Sequence, residues 1–145
     1  MALKKAAVLC NTLRDVTRNS GFFLFLGGIK MATITVTTTS ADAGYNMTDD
    51  LTAAAGGGDA FANDGNTFFV VANGGGGAIT FGATTANTAG KNAFAIADAS
   101  VSVGAGKTYI FGPFEPGIFN NSSAQVAVTY SGVTTVTVGA FKISY

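Results

Sequence analysis

The sequence predicts an all-β protein: a two-sheet antiparallel β-sandwich, jelly-roll-like, with an immunoglobulin-like order as the alternative and a short N-terminal extension ahead of it. Three observations carry this. Apolar residues alternate with threonine and serine from Ala32 onward, the period-2 pattern of half-buried strands. Glycine-rich turn signals separate eight or nine such runs at spacings of about 8–12 residues, which is the rhythm of a sandwich or barrel. No stretch beyond Met31 has the 3.6-residue periodicity of an amphipathic helix.

Taken in order, Ala32–Thr37 places Ile34 and Val36 on one face and threonines on the other. The segment Thr48–Phe61 is the least strand-like. Its Ala53-Ala54-Ala55 suits a helical turn that Gly56-Gly57-Gly58 ends. Thr67–Ala72 is an apolar run of strand length, and Ala78–Phe81 follows four glycines. Ala93–Ala97 alternates again. Ser100–Val103 and Thr108–Phe111 flank Gly104-Ala105-Gly106-Lys107, a hairpin-like turn. Gln125–Tyr130 and Thr134–Val138 flank Ser131-Gly132, and Ala140–Tyr145 alternates to the end. β-Branched and aromatic residues dominate these runs, as a pleated surface favours. Alternation with threonine and serine predicts one buried and one outer face for each sheet.

The 145 residues suit one domain. Its 8 basic and 8 acidic residues cancel overall but not locally. Residues 1–30 carry five basic residues against Asp15, a net of +4, and residues 31–145 carry three against seven, a net of −4. The chain thus divides into a basic extension, 1–30, and a mildly acidic sandwich domain, 31–145.

The extension has a weak helical stripe through Leu9, Leu13 and Val16, then the apolar run Gly21–Ile29. That run is too short for a helix across a bilayer, which needs about 20 residues. A secretory signal fits poorly, because the basic region is long and no small-x-small site follows cleanly. Gly27-Gly28-Ile29-Lys30-Met31 back-translates, for some codon choices, to a purine-rich GGAGG just before an ATG. Residues 1–30 are therefore expected to be either an arm that reaches a partner or the product of a start assigned too far upstream of Met31.

Composition excludes whole classes of chemistry. There is no His, the commonest general base and metal ligand, and a single Cys, Cys10. One Cys makes neither an internal disulfide nor a thiolate zinc site. The charge balance lacks the basic surplus of a nucleic-acid binder. Gly104-Ala105-Gly106-Lys107-Thr108 looks like the end of a phosphate loop, but Val101 stands where the first glycine belongs and a strand follows instead of a helix. Gly56–Asp59 and Asn63-Asp64-Gly65 fit no calcium-loop spacing. Asp49-Asp50 reads as a turn or helix cap. Glu115, the only glutamate, sits between Phe114 and Pro116 in a stretch that two prolines bend, and reads as a rigid corner with a solvated acid. The sequence thus predicts no enzyme, no cofactor, no metal and no catalytic residues. Eight phenylalanines, Phe68, Phe69, Phe81, Phe94, Phe111, Phe114, Phe119 and Phe141, are read first as core, with interface anchoring as the other use of such side chains.

The order of elements resembles small β-rich phage virion proteins. The resemblance rests on Gly57–Phe68, Ala72-Asn73-Gly74, Ala97–Lys107, Ile110–Phe114 and Gln125–Ser131, which together span most of residues 57–143. It implies a capsid decoration, or cement, protein: a jelly roll or sandwich on the outer capsid surface of the virion, commonly a homotrimer, binding the major capsid protein, with a terminal arm and no catalytic residues. Neither nucleic acid nor membrane is an expected partner. Candidate protein-contact residues are Ile34 and Val36, whose strand suits addition to a neighbour, together with Phe114 and Phe119. A phage tail, baseplate or fibre component is the alternative in the same class. A secreted carbohydrate-binding module is the alternative from another class; the absence of Trp and the presence of only 4 Tyr count against its sugar platform.

Overall fold

The computed structural model describes residues 30–40, 42 and 44–144. The extension's helical stripe, Cys10, the apolar run Gly21–Ile29 and Tyr145 lie outside the described residues. The described part is built from twelve strands: β1 (Ala32–Ile34), β2 (Val36–Ser40), β3 (Thr52–Ala53), β4 (Asp59–Ala62), β5 (Thr67–Asn73), β6 (Ile79–Ala83), β7 (Thr88–Ala89), β8 (Phe94–Ala95), β9 (Ala99–Val103), β10 (Lys107–Phe111), β11 (Gln125–Tyr130) and β12 (Val136–Ser144). A 3-10 turn, Met47–Asp50, and a one-turn helix α1, Pro116–Phe119, complete it.

Two sheets form the sandwich. Sheet I runs β1-β4-β11-β6-β9, and sheet II runs β10-β5-β12-β2 with β3 also on β12. The pairing is nested. β3 pairs with β12, β4 with β11, β5 with β10 and β6 with β9, each antiparallel. Successive nested pairs fall in alternate sheets, and the β5–β12 and β6–β11 contacts complete each sheet. A long hairpin of four strand pairs wrapped in this way is a jelly roll, so the jelly-roll order prevails over the immunoglobulin-like one.

This topology changes the reading of the turns. β9 and β10 flank Gly104–Gly106 but do not pair; they lie at the edges of opposite sheets. The turn therefore crosses the sandwich instead of closing a hairpin. Three residues suffice, because facing sheets are about 10 Å apart and each residue spans about 3.3 Å. Gly106 takes φ +65 there. β11 and β12 are likewise in opposite sheets. Ala140–Ser144 is no separate strand but the continuation of β12.

The N-terminal run is also divided. β1 adds parallel to β4 in sheet I, and after Thr35 β2 adds parallel to β12 in sheet II. The sandwich is mixed at these two edges, not wholly antiparallel. Within Thr48–Phe61 the expected helical turn at Ala53–Ala55 gives way to β3, a tight turn and β4. Gly58 makes that turn at φ +86, and a Cβ there would run into the carbonyl oxygen of Val128.

Between the sheets, Phe61 stacks on Phe69 at 4.8 Å and Phe81 on Phe111 at 4.1 Å. Val103, Val126, Val128, Val136 and Val138 fill the spaces around them. Sheet I keeps the expected outer face of small polar residues, Thr80, Ser100, Ser102 and Thr129 among them. Sheet II departs from it. Phe68, Val70 and Phe141 point away from the main core, yet Val70 and Phe141 are fully buried. Phe141 packs between Phe68 and Tyr45, each at 6.0 Å, with Leu51 over Gly139 beside it. The segment Gly44–Leu51 thus covers a second apolar layer. The unbroken run Phe68-Phe69-Val70-Val71 is the mark of a strand buried on both faces.

Candidate functional site

All four candidate contact residues pack at least partly against the chain's own core. Ile34 and Val36 are half-buried against it, one from each sheet. Phe114 is 6% exposed and meets Phe61 and Phe119 edge-on at 5.5 and 5.4 Å. Phe119 is half-buried beside it. Phe114 is thus a core residue, while Ile34, Val36 and Phe119 each keep part of their surface exposed.

The loops carrying Phe114 and Phe119 are tied by two asparagines. Asn63 Nδ2 donates to the Phe114 carbonyl at 3.0 Å and to Asn120 Oδ1 at 2.8 Å, while Asn120 Nδ2 donates back to the Asn63 carbonyl at 2.9 Å. Glu115 caps α1, its Oε1 accepting from the Gly117 amide, so the lone glutamate is an exposed structural cap at the expected corner.

At the opposite end, a cleft of about 500 Å3 is lined by Asn73, Gly74–Ile79, Gly132, Thr134 and Thr135. Asn73 is buried and shapes it. Its Nδ2 donates to the carbonyls of Gly77, Val103 and Gly104, and its Oδ1 accepts from the Gly75 amide. Among the described residues that line the cleft, none is titratable. Asn73→Ala takes this donor from the buried Val103 carbonyl and the part-buried Gly77 and Gly104 carbonyls, and is expected to cost about 1–3 kcal/mol in a denaturant titration. A loss under about 0.5 kcal/mol, the scatter of surface substitutions, would refute that role.

The acids are dispersed, and most are bound to local donors. Asp50 accepts from Thr37 Oγ1 at 3.0 Å and from the Tyr45 hydroxyl, and that second bond pushes the Tyr45 hydroxyl above the usual tyrosine range. Asp49 accepts from Asn46. Asp64 is held below the usual carboxylate range, first by the Asn66 amide and then by Lys142 at 3.3 Å. Asp98 is held below it by the Thr85 amide and hydroxyl. Asp59 is the exception in depth. It is wholly buried on β4, and its Oδ2 accepts from the Tyr130 hydroxyl at 2.9 Å and the Ala55 amide at 3.2 Å. Burial, then the Asp59 charge, pushes the Tyr130 hydroxyl far above the tyrosine range. Among the described residues no three Cys, Asp or Glu converge as metal ligands, and no helix is long and apolar enough to cross a membrane.

The surface residues with the most to offer a partner were not among the candidates. Phe94, assigned to the core above, is 67% exposed on the projecting β7–β8 hairpin. Val101, Tyr109 and Ile110 are exposed on β9 and β10. Alternation marks one side of a strand as apolar, but it does not say whether that strand lies at a sheet edge. Comparison with family models, with curated proteins and with solved structures returns no match.

Proposed function

We propose that the chain is a structural virion protein that binds the outside of a phage capsid as a homotrimer and stabilises it, with the major capsid protein as its partner. One observation carries the reading. Asn63, Asn73, Asn120, Asp64 and Asp98 are occupied in holding loops, while large apolar side chains stand exposed at the sheet edges and on the β7–β8 hairpin. Such a surface suits many modest contacts with neighbours more than capture of a small substrate. A trimer touching several capsid subunits gains avidity from effective concentration without any single tight contact. The resemblance of the order of sequence elements to small phage virion proteins points the same way.

The test is cryo-electron microscopy of the virion, joined to co-sedimentation of the purified protein with undecorated capsids. Density on the shell and co-sedimentation are expected, with decorated particles surviving to a higher temperature than bare ones. Density on the tail with none on the shell would reject the capsid role in favour of a tail component.

A further inference from the structure

Asn73-Gly74 is the one Asn-Gly step in the sequence; every other asparagine is followed by a residue with a side chain. Asparagine is thermolabile, and most so before glycine, which leaves its backbone nitrogen unhindered and lets the chain bend back. In a flexible chain the Gly74 nitrogen, once base has taken its proton, attacks Cγ of Asn73. The bond from Gly74 N to Cγ forms, the Cγ–Nδ2 bond breaks, and Nδ2 leaves as ammonia. Water then opens the cyclic imide. Cleavage at Cγ gives aspartate at position 73, and cleavage at the backbone carbonyl carbon gives isoaspartate, with the chain routed through Cγ. Water is consumed, ammonia is released, and nothing is oxidised or reduced.

The fold restrains both partners of this reaction. Asn73 ends β5 and is 2% exposed. Its Nδ2 is held by the carbonyls of Gly77 at 2.8 Å, Val103 at 3.1 Å and Gly104 at 3.2 Å, and its Oδ1 by the Gly75 amide at 3.0 Å. The attacking nitrogen is held as well, because the Gly74 amide donates to the Thr135 carbonyl at 2.9 Å. Gly74 itself is exposed. Water and base therefore reach the step, and hydrogen bonds, not burial of the glycine, keep its proton in place. The folded structure also asks for both residues. An amide nitrogen at position 73 supplies the donor that the loop carbonyls share. A Cβ on Gly74 would lie 3.0 Å from the same Thr135 oxygen, which Thr135 presents at φ +58. The products do not fit. A carboxylate has no donor and sets a buried charge against three carbonyl oxygens. Isoaspartate lengthens the backbone where it enters Gly74–Gly77.

We infer that Asn73–Gly74 is a deamidation site that the fold keeps closed and that opening of the β5–β6 loop exposes. The folded chain reacts only while that loop is open. Each reaction is one-way, since the product lacks the donor that closes the loop again. Chains that unfold are thereby lost chemically as well as by aggregation. This gating belongs to the chain itself and stands apart from capsid binding.

Peptide mapping by mass spectrometry tests it on the full chain, held in mildly alkaline native buffer or in guanidinium. A synthetic peptide of residues 70–79 in the native buffer is a second unfolded reference. Conversion at residue 73 is expected to be at least about tenfold slower in the folded chain than in either reference, and any smaller difference overturns the inference. Gly74→Ala in guanidinium, where folding plays no part, is expected to convert several-fold more slowly than wild type, because the methyl group shields the attacking nitrogen. An unchanged rate would mean direct hydrolysis of the amide and would overturn the ring-closing route. Asn73→Asp supplies one product directly. It is expected to have a lower denaturant midpoint than Asn73→Ala, or to yield no folded protein at all. A midpoint at or above that of Asn73→Ala overturns the one-way step.

Discussion

Replacing Phe81 with alanine is expected to lower stability by about 3–5 kcal/mol, the usual cost of emptying a buried phenylalanine site. Phe81 is 1% exposed on β6 and stands where the aromatic layer is most connected. It stacks on Phe111 at 4.1 Å, lies 5.9 Å from Phe69, and is tilted 6.2 Å from Tyr130. Phe111 and Phe69 come from sheet II, so the ring links the two layers, and each aromatic pair adds about 0.5–1.5 kcal/mol beyond burial. The neighbours belong to strands whose positions are set by pairing, so the site cannot collapse to fill the void. Against a total of about 5–15 kcal/mol for a domain, such a loss is severe. The guanidinium midpoint should fall with little change in slope. Phe94→Ala, on the exposed hairpin, should stay within about 0.5 kcal/mol of wild type. A Phe81→Ala loss under about 1 kcal/mol would contradict the packing described.

The contrast between these two phenylalanines marks what the sequence discloses. Period-2 alternation correctly indicates strands such as Gln125–Tyr130, because a sheet with one wet face requires it. The apolar run Phe68–Val71 also reads as a strand, but its second covered face depends on Tyr45 and Leu51 arriving from a segment with no periodicity. Nested pairing is invisible locally. Gly104–Gly106 has the composition of a hairpin turn, and only the competition of β5 and β6 for its flanking strands sends them to opposite sheets. Ile34 and Val36 have the pattern of a strand seeking a partner, and they find it within the chain, on β4 and β12. The exposure of Tyr109 and Ile110 is illegible for the same reason: an edge strand and a central strand share one alphabet.

Tyr130→Phe is the second substitution with a large expected effect. It removes one oxygen, yet it leaves the Asp59 carboxylate wholly buried with the Ala55 amide as its one remaining partner, since Oδ1 has none among the described residues. A buried charged group deprived of a partner costs about 2–4 kcal/mol. The cost belongs to the carboxylate left behind, so Asp59→Asn added to Tyr130→Phe should recover part of it. A double variant no better than the single one would show that the hydroxyl acts by packing and not through Asp59. The pair also has a pH signature. Burial and the Asp59 charge raise the folded-state pKa of Tyr130 above its unfolded value, so the folded chain holds this proton more tightly. The stabilisation is full below the unfolded pKa of about 10 and declines above it, by up to about 1.4 kcal/mol per pH unit for one proton. Wild-type stability should therefore fall steeply above about pH 10, and Tyr130→Phe should flatten that limb while lowering the neutral-pH plateau. An alkaline limb of equal slope in both proteins would assign the loss to other groups, the Tyr45–Asp50 pair first among them.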